Sequence, residues 1–283
     1  MRSRGRRRGI GIVHVPKAAG TSVRRVLIEA GIVDGSDRYH DPYLSNYPDV
    51  RHRGADWDMN VIDVQEVESI LTSRGVAMGH LCVRTFLDAH VDRCWLLVRE
   101  PRSRLLSRYD HFLRDPSGVE IIDAGPEPTL TDFLDAPWFS VEVDNLEARM
   151  ILPSLAPHDA VAMDDADAFR AAVRAEVRSM GRGLAGAVWS EGDPVAMRRL
   201  LADVSPDAST IDERVIRRDN VTPPGSRDLV LSDRDTAALQ RSTWRSTIVL
   251  QELIEAGLLA GRDDSSLEAE FVRTAVAHGF RVD

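Results

Sequence analysis

Gly9-Ile-Gly-Ile-Val-His-Val-Pro-Lys-Ala-Ala-Gly-Thr-Ser-Val23 opens as an apolar run, stops at Pro16-Lys17 and restarts as a helix around Thr21. Ile10, Ile12, Val13 and Val15 suit a strand buried on both faces, and Pro16, which has no amide proton for a ladder, ends it. Gly20 lets the backbone curl closely around a bound group. Thr21 and Ser22 follow with amides that have no acceptor inside the new helix. Such amides, with the positive end of the helix dipole, attract an anion, and the Lys17 ammonium adds a full charge at the mouth of the turn. The stretch predicts strand, phosphate-binding turn and helix.

The bulk properties fit one α/β domain over residues 9–283, with residues 1–8 as a basic disordered tail that holds five arginines. At 43% hydrophobic the chain can bury a full core, and its formal net charge of -9 argues against broad nucleic-acid binding. A few cations converging on a small phosphorylated ligand remain compatible with an acidic surface. Cys82 and Cys94 provide neither a disulfide framework nor a zinc set, which fits a reducing, cytoplasmic setting. No stretch is long enough to cross a membrane.

Beyond the first turn, helical spacing runs from Ser22 to Ala30 and from Val64 to Ser73. Val76-Ala-Met78 is a second short strand ending at Gly79-His80, and Cys94-Trp-Leu-Leu-Val98 reads as a central parallel strand. Pro101 then opens a helix with Leu105, Leu106, Tyr109, Phe112 and Leu113 on one stripe. Leu184 to Trp189 is a late strand, with Trp189 read as core. Asp164 to Met180, Asp193 to Val204, Ser232 to Ala256 and Ser265 to His278 make the second half largely helical. Asp34 to Asn60 and Ser205 to Ser226 are irregular loops, the latter holding Arg214, Arg217, Arg218 and Asn220. The expected fold is α/β, a central parallel sheet flanked by helices.

The nucleotide-kinase loop G-x-x-x-x-G-K-[ST] places its lysine after the second glycine, whereas here the lysine comes first. Pro16-Lys17-x-x-Gly20-Thr21-Ser22, followed by strand-Arg99-Glu100-Pro101-x-x-Arg104-x-x-Ser107, resembles the paired nucleotide-binding elements of sulfotransferases that use 3′-phosphoadenosine 5′-phosphosulfate (PAPS). The nearest branch is the carbohydrate type. Gly79-His80, Asp144-Asn145-Leu-Glu-Ala-Arg149 and Arg218-Asp-Asn220-Val-Thr-Pro223 extend the resemblance over most of the chain.

The resemblance implies a P-loop-like fold and transfer of a sulfuryl group from PAPS to a hydroxyl on a glycan or small-molecule acceptor, without a metal. It implies that Lys17, Ala18, Ala19, Gly20, Thr21 and Ser22 hold the 5′-phosphosulfate, and that Arg99 and Ser107 hold the 3′-phosphate. Lys17 would also stabilise the leaving group, and His80 would be the general base. His40, His52 and His111 are its rivals, while His14 points into or beside the first strand and His158 and His278 lie in poorer contexts. Two positions depart from the family pattern: Glu100 replaces the usual aspartate with its charge kept, and Thr247 stands where relatives commonly have aspartate. The alternatives are an ATP-dependent phosphotransferase, which needs magnesium and a differently placed lysine, and a non-catalytic phosphonucleotide-binding protein.

Overall fold

The computed structural model describes residues 9–18, 20–29, 32, 43–45, 64–114, 128–136, 145–152, 165–189, 193–205, 229–259 and 262–281. Four parallel strands form the body of the sheet: β1 (Ile10–His14), β3 (Val76–His80), β4 (Arg93–Val98) and β5 (Leu184–Trp189). A three-residue strand, β2 (Tyr43–Ser45), adds to the edge, giving the order β2-β3-β1-β4-β5. All five residues of β1 are buried, and the strand pairs with β3 on one side and β4 on the other. Its apolar run thus reads as expected for a strand covered on both faces.

Ten α-helices are seen among the described residues. These are α1 (Gly20–Glu29), α2 (Val64–Arg74), α3 (Val83–Asp88), α4 (Pro101–Arg114), α5 (Leu130–Asp135), α6 (Leu146–Ile151), α7 (Ala166–Met180), α8 (Pro194–Val204), α9 (Asp233–Glu255) and α10 (Asp264–Ala277). Asp165, Asp193, Ser232 and Asp263 cap α7, α8, α9 and α10. Each accepts a first-turn amide that the helix itself leaves unsatisfied. The expected helical second half is present, with boundaries within a residue or two of the sequence reading. A two-residue parallel pair, β6 (Leu229–Val230) with β7 (Phe280–Arg281), is an addition to it.

Apolar packing falls into two clusters. One is built on the sheet, from Ile12, Val13, Leu96 and Leu97 to Val249 and Leu253 of α9. The other lies among α4, α5, α9 and α10, around Leu106, Tyr109, Phe133, Leu239 and Phe271. α9 contributes to both, which couples the helical layer to the sheet.

α4 is also tied to α6 by a buried ion pair. Arg104 Nε donates to Glu147 Oε1 at 2.5 Å, and both side chains are sealed from solvent. Removing one partner of such a pair leaves the other desolvated without that counter-charge, at a cost of about 3–5 kcal/mol, whereas an apolar pair of similar volume is often tolerated. Arg104→Met is accordingly expected to lower stability by about that amount, and Arg104→Met/Glu147→Leu to recover most of it, as read by urea unfolding.

Candidate functional site

The strand order creates one topological switch point. From β1 the chain proceeds towards β3 and β2, whereas from β4 it proceeds towards β5, so the connections leaving β1 and β4 diverge at their carboxyl ends. Open α/β sheets bind ligands in the crevice this divergence opens. The Lys17 turn leaves β1 there, and Arg99 leaves β4 beside it.

The turn is tight. The Ala18 amide donates to the Val15 carbonyl at 3.0 Å, and Lys17 adopts a left-handed backbone with φ 66°. A β-carbon is unfavourable in that conformation, so Lys17 is held at a conformational cost of the order of 1 kcal/mol. Its side chain is half-buried. Burial lowers the ammonium pKa first, the Arg108 and Arg99 guanidiniums lower it further, and Asp110 acts against them. Like charges therefore gather around a partly desolvated amine, a setting that a bound anion would relieve. The chain's 36 lysine and arginine residues include a single lysine, Lys17. An ammonium is a compact charge whose pKa shifts readily on burial, unlike a guanidinium.

Of the other expected phosphosulfate ligands, Ala18 is buried in the turn, and Gly20, Thr21 and Ser22 form the first turn of α1. Ala19 lies outside the described residues. No acidic side chain stands in that first turn to compete for the amides.

Arg99 is 8% exposed and reaches in two directions. Its guanidinium donates to the Lys17 carbonyl at 3.4 Å and to Thr274 Oγ1 of α10 at 3.2 Å. Its Nε lies 3.4 Å from the carboxylate of Glu270, also on α10. Ser107 sits half-buried two turns along α4. Glu100 has a role that its spacing alone did not reveal. Its carboxylate accepts the Ser103 amide at 2.6 Å and the Arg102 amide at 3.2 Å, capping α4, and also pairs with the Arg102 side chain at 2.9 Å. An acid here starts the helix that follows the arginine, and the longer glutamate reaches those amides.

His80 ends β3 on the same sheet edge. Its Nδ1 lies 2.7 Å from the His14 carbonyl. A carbonyl only accepts, so Nδ1 carries the proton and, in the neutral ring, Nε2 keeps the lone pair that a general base requires. The ring stacks on His14 with centroids 4.5 Å apart. His14 is buried, and burial followed by the nearby His80 keeps its pKa well below the ordinary imidazole value. Among the rivals, His111 is exposed on α4, while His40 and His52 lie outside the described residues, as does His158. His278 ends α10 and hydrogen-bonds Asp110 at 3.0 Å. Burial works to raise the Asp110 pKa, and hydrogen bonds from His278 and Arg114 outweigh it.

The Asn145–Arg149 element is structural in part. Asn145 has a left-handed backbone, and its Oδ1 accepts the Arg245 and Ser246 amides of α9 at 2.9 and 3.2 Å. Arg149 is buried on α6. Thr247 donates to the Thr243 carbonyl within α9. Trp189 is buried, as expected of a core residue. Asp144 and Arg218 to Pro223 lie outside the described residues. Among the described residues, no group of three or more His, Cys, Asp or Glu is placed to hold a metal ion, and no helix is long and apolar enough to cross a membrane.

Sequence reasoning missed His14, Glu270 and Thr274 as neighbours of the site. His14 had a readable signal, since its place before Pro16 in a strand beside the one ending at His80 puts the two at matching heights. Comparison with family models, curated proteins and solved structures finds no match to this chain.

His14 gives the site a pH signature. Its pKa is depressed in the folded protein, so the unfolded chain takes up a proton first as pH falls below the ordinary value of 6.5. Stability contributed by neutral His14 is full above that value and is lost as pH falls towards the folded pKa. From pH 7 to 5.5 the parent should lose about 1 kcal/mol more than His14→Gln, measured by urea unfolding at the two pH values.

Proposed function

We propose that this protein transfers a sulfuryl group from PAPS to a hydroxyl of a glycan or small-molecule acceptor. The observation that carries the reading is the meeting of the Lys17 turn, Arg99 and His80 on one edge of the sheet, around its switch point. The motif order that resembles the sulfotransferases supports the choice of PAPS over other phosphorylated ligands.

In this mechanism the α1 amides and Lys17 hold the 5′-phosphosulfate, and Arg99 with Ser107 reads the 3′-phosphate. Nε2 of His80 accepts the acceptor's hydroxyl proton as its oxygen bonds to sulfur. The bond from sulfur to the bridging oxygen breaks, and adenosine 3′,5′-bisphosphate leaves with its new charge met by Lys17. Sulfur leaves one oxygen as it joins another, and no redox partner is involved. Phosphoryl transfer, with charge spread over a loose transition state, is the nearest template.

Calorimetry in the presence of a chelator is expected to show binding of adenosine 3′,5′-bisphosphate. Strong binding of ATP with magnesium, and none of the bisphosphate, would favour a phosphotransferase instead. Arg99→Ala and Ser107→Ala should each weaken the bisphosphate more than AMP. The arginine loss should exceed about tenfold, as expected for a charged hydrogen bond. Equal losses for both nucleotides would assign these residues to the fold.

The two catalytic roles separate by mutation. His80→Ala should bind the bisphosphate nearly as well as the parent while turnover falls by roughly 10²–10⁴. Lys17→Ala should impair both binding and turnover. Near-parental turnover in folded His80→Ala would remove the base assignment.

A further inference from the structure

The two histidines at the sheet edge meet through more than one contact. β1 and β3 pair in parallel register as far as Val13 opposite Gly79, so His14 and His80 are the next positions along the two strands. Neighbours in register leave the same face of a sheet. Their rings stack with centroids 4.5 Å apart and planes 30° from parallel. The His80 Nδ1 also donates to the His14 carbonyl at 2.7 Å. One residue thus meets the imidazole twice, with its backbone at the ring's edge and its side chain against the ring's face. The two contacts act differently. A hydrogen bond to a carbonyl fixes which nitrogen carries the proton yet leaves the ring to swing about that bond, whereas a stacked neighbour fixes the plane.

His14 is suited to be the fixed member of the pair. It is 7% exposed in a strand paired along both edges, whereas His80 is half-buried at the end of β3. Burial, followed by the charge that His80 can carry, keeps the His14 pKa well below the ordinary value. Its ring is therefore uncharged at neutral pH. An imidazolium formed on His80 then meets the electron-rich face of an aromatic ring and not a second cation.

We propose that His14 is a positioning residue for the base His80, its carbonyl setting the tautomer and its ring setting the plane of the imidazole that takes the acceptor's proton. The proposal rests on the sulfuryl-transfer reading above and deepens it. Proton transfer to a base needs the accepting nitrogen within hydrogen-bond reach and in line, and an imidazole left to rotate spends less time there. His14 stands three positions before Lys17. The strand exit that delivers Lys17 to the leaving group thereby also sets the base, so one strand end fixes both sides of the transfer.

The test is NMR of the ¹⁵N-labelled full chain at neutral pH without ligand, with the His80 ring signals assigned by their loss in His80→Gln. The parent should show one His80 tautomer, protonated at Nδ1, with Overhauser contacts between the His14 and His80 ring protons. His14→Leu keeps the carbonyl and removes the flat face. In it the His80 ring should leave the carbonyl part of the time, moving its two nitrogen shifts towards each other as tautomers interconvert, and His14→Phe should restore the parental pattern. A parental His80 pattern in folded His14→Leu would show that the carbonyl suffices and would reduce His14 to a core residue. If neither variant folds, the parent decides: missing ring-to-ring contacts, or a neutral His80 protonated at Nε2, overturn the proposal, and both expected signatures together support it. Calorimetry with adenosine 3′,5′-bisphosphate keeps the two readings apart. Binding to the parent together with an unchanged His80 spectrum in His14→Leu removes only the role of His14. A parent that does not bind the bisphosphate removes the nucleotide reading, and with it the catalytic role of the pair, whatever the spectra show.

Discussion

The double pairing of β1 is the constraint on which the rest depends. A parallel strand hydrogen-bonded along both edges and buried on both faces has one exit at its carboxyl end, and that exit lies between the connections leaving β3 and β4. Lys17, Arg99 and His80 lie far apart in sequence, and each stands at or just past the end of one of three adjacent strands. The site is therefore a consequence of sheet order. A strand swap would scatter the same residues without altering any local motif.

Electrostatics at this edge are of two kinds. Some charges hold the fold: Glu100 starts α4, and Arg104 with Glu147 joins α4 to α6. Others are left in a state that an anion would relieve, with Lys17 in a left-handed turn, partly desolvated and beside Arg99 and Arg108. Strain and like-charge crowding are costs that a fold tolerates where binding recovers them. The caps of α7, α8, α9 and α10, by contrast, conform to ordinary local rules.

Much of the fold was legible because it is written in local patterns. Buried parallel strands leave continuous apolar runs, as in Cys94 to Val98, and capped amphipathic helices announce their starts, as at Ser232. The helices α3, α5 and α6, which were not delimited individually, have six residues each, too few for a helical stripe to emerge. Lys17, Arg99, Ser107 and His80 were singled out by motif order and by the resemblance to sulfotransferases. Glu270 and Thr274 were not, because they come to Arg99 through tertiary packing with no sequence proximity. Composition held one further signal: a chain that uses arginine everywhere else has its single lysine in the turn that leaves β1.

That single lysine permits a direct measurement. Reductive methylation with ¹³C-formaldehyde places label on Lys17 and on the α-amine alone, so the lysine contributes one side-chain resonance. Titrating the labelled protein with adenosine 3′,5′-bisphosphate in chelator should shift that resonance and raise the Lys17 pKa, because the bound phosphate opposes the burial and the neighbouring arginines that now lower it. An unchanged resonance and pKa at saturating nucleotide would contradict the assignment of the Lys17 turn as the phosphosulfate site.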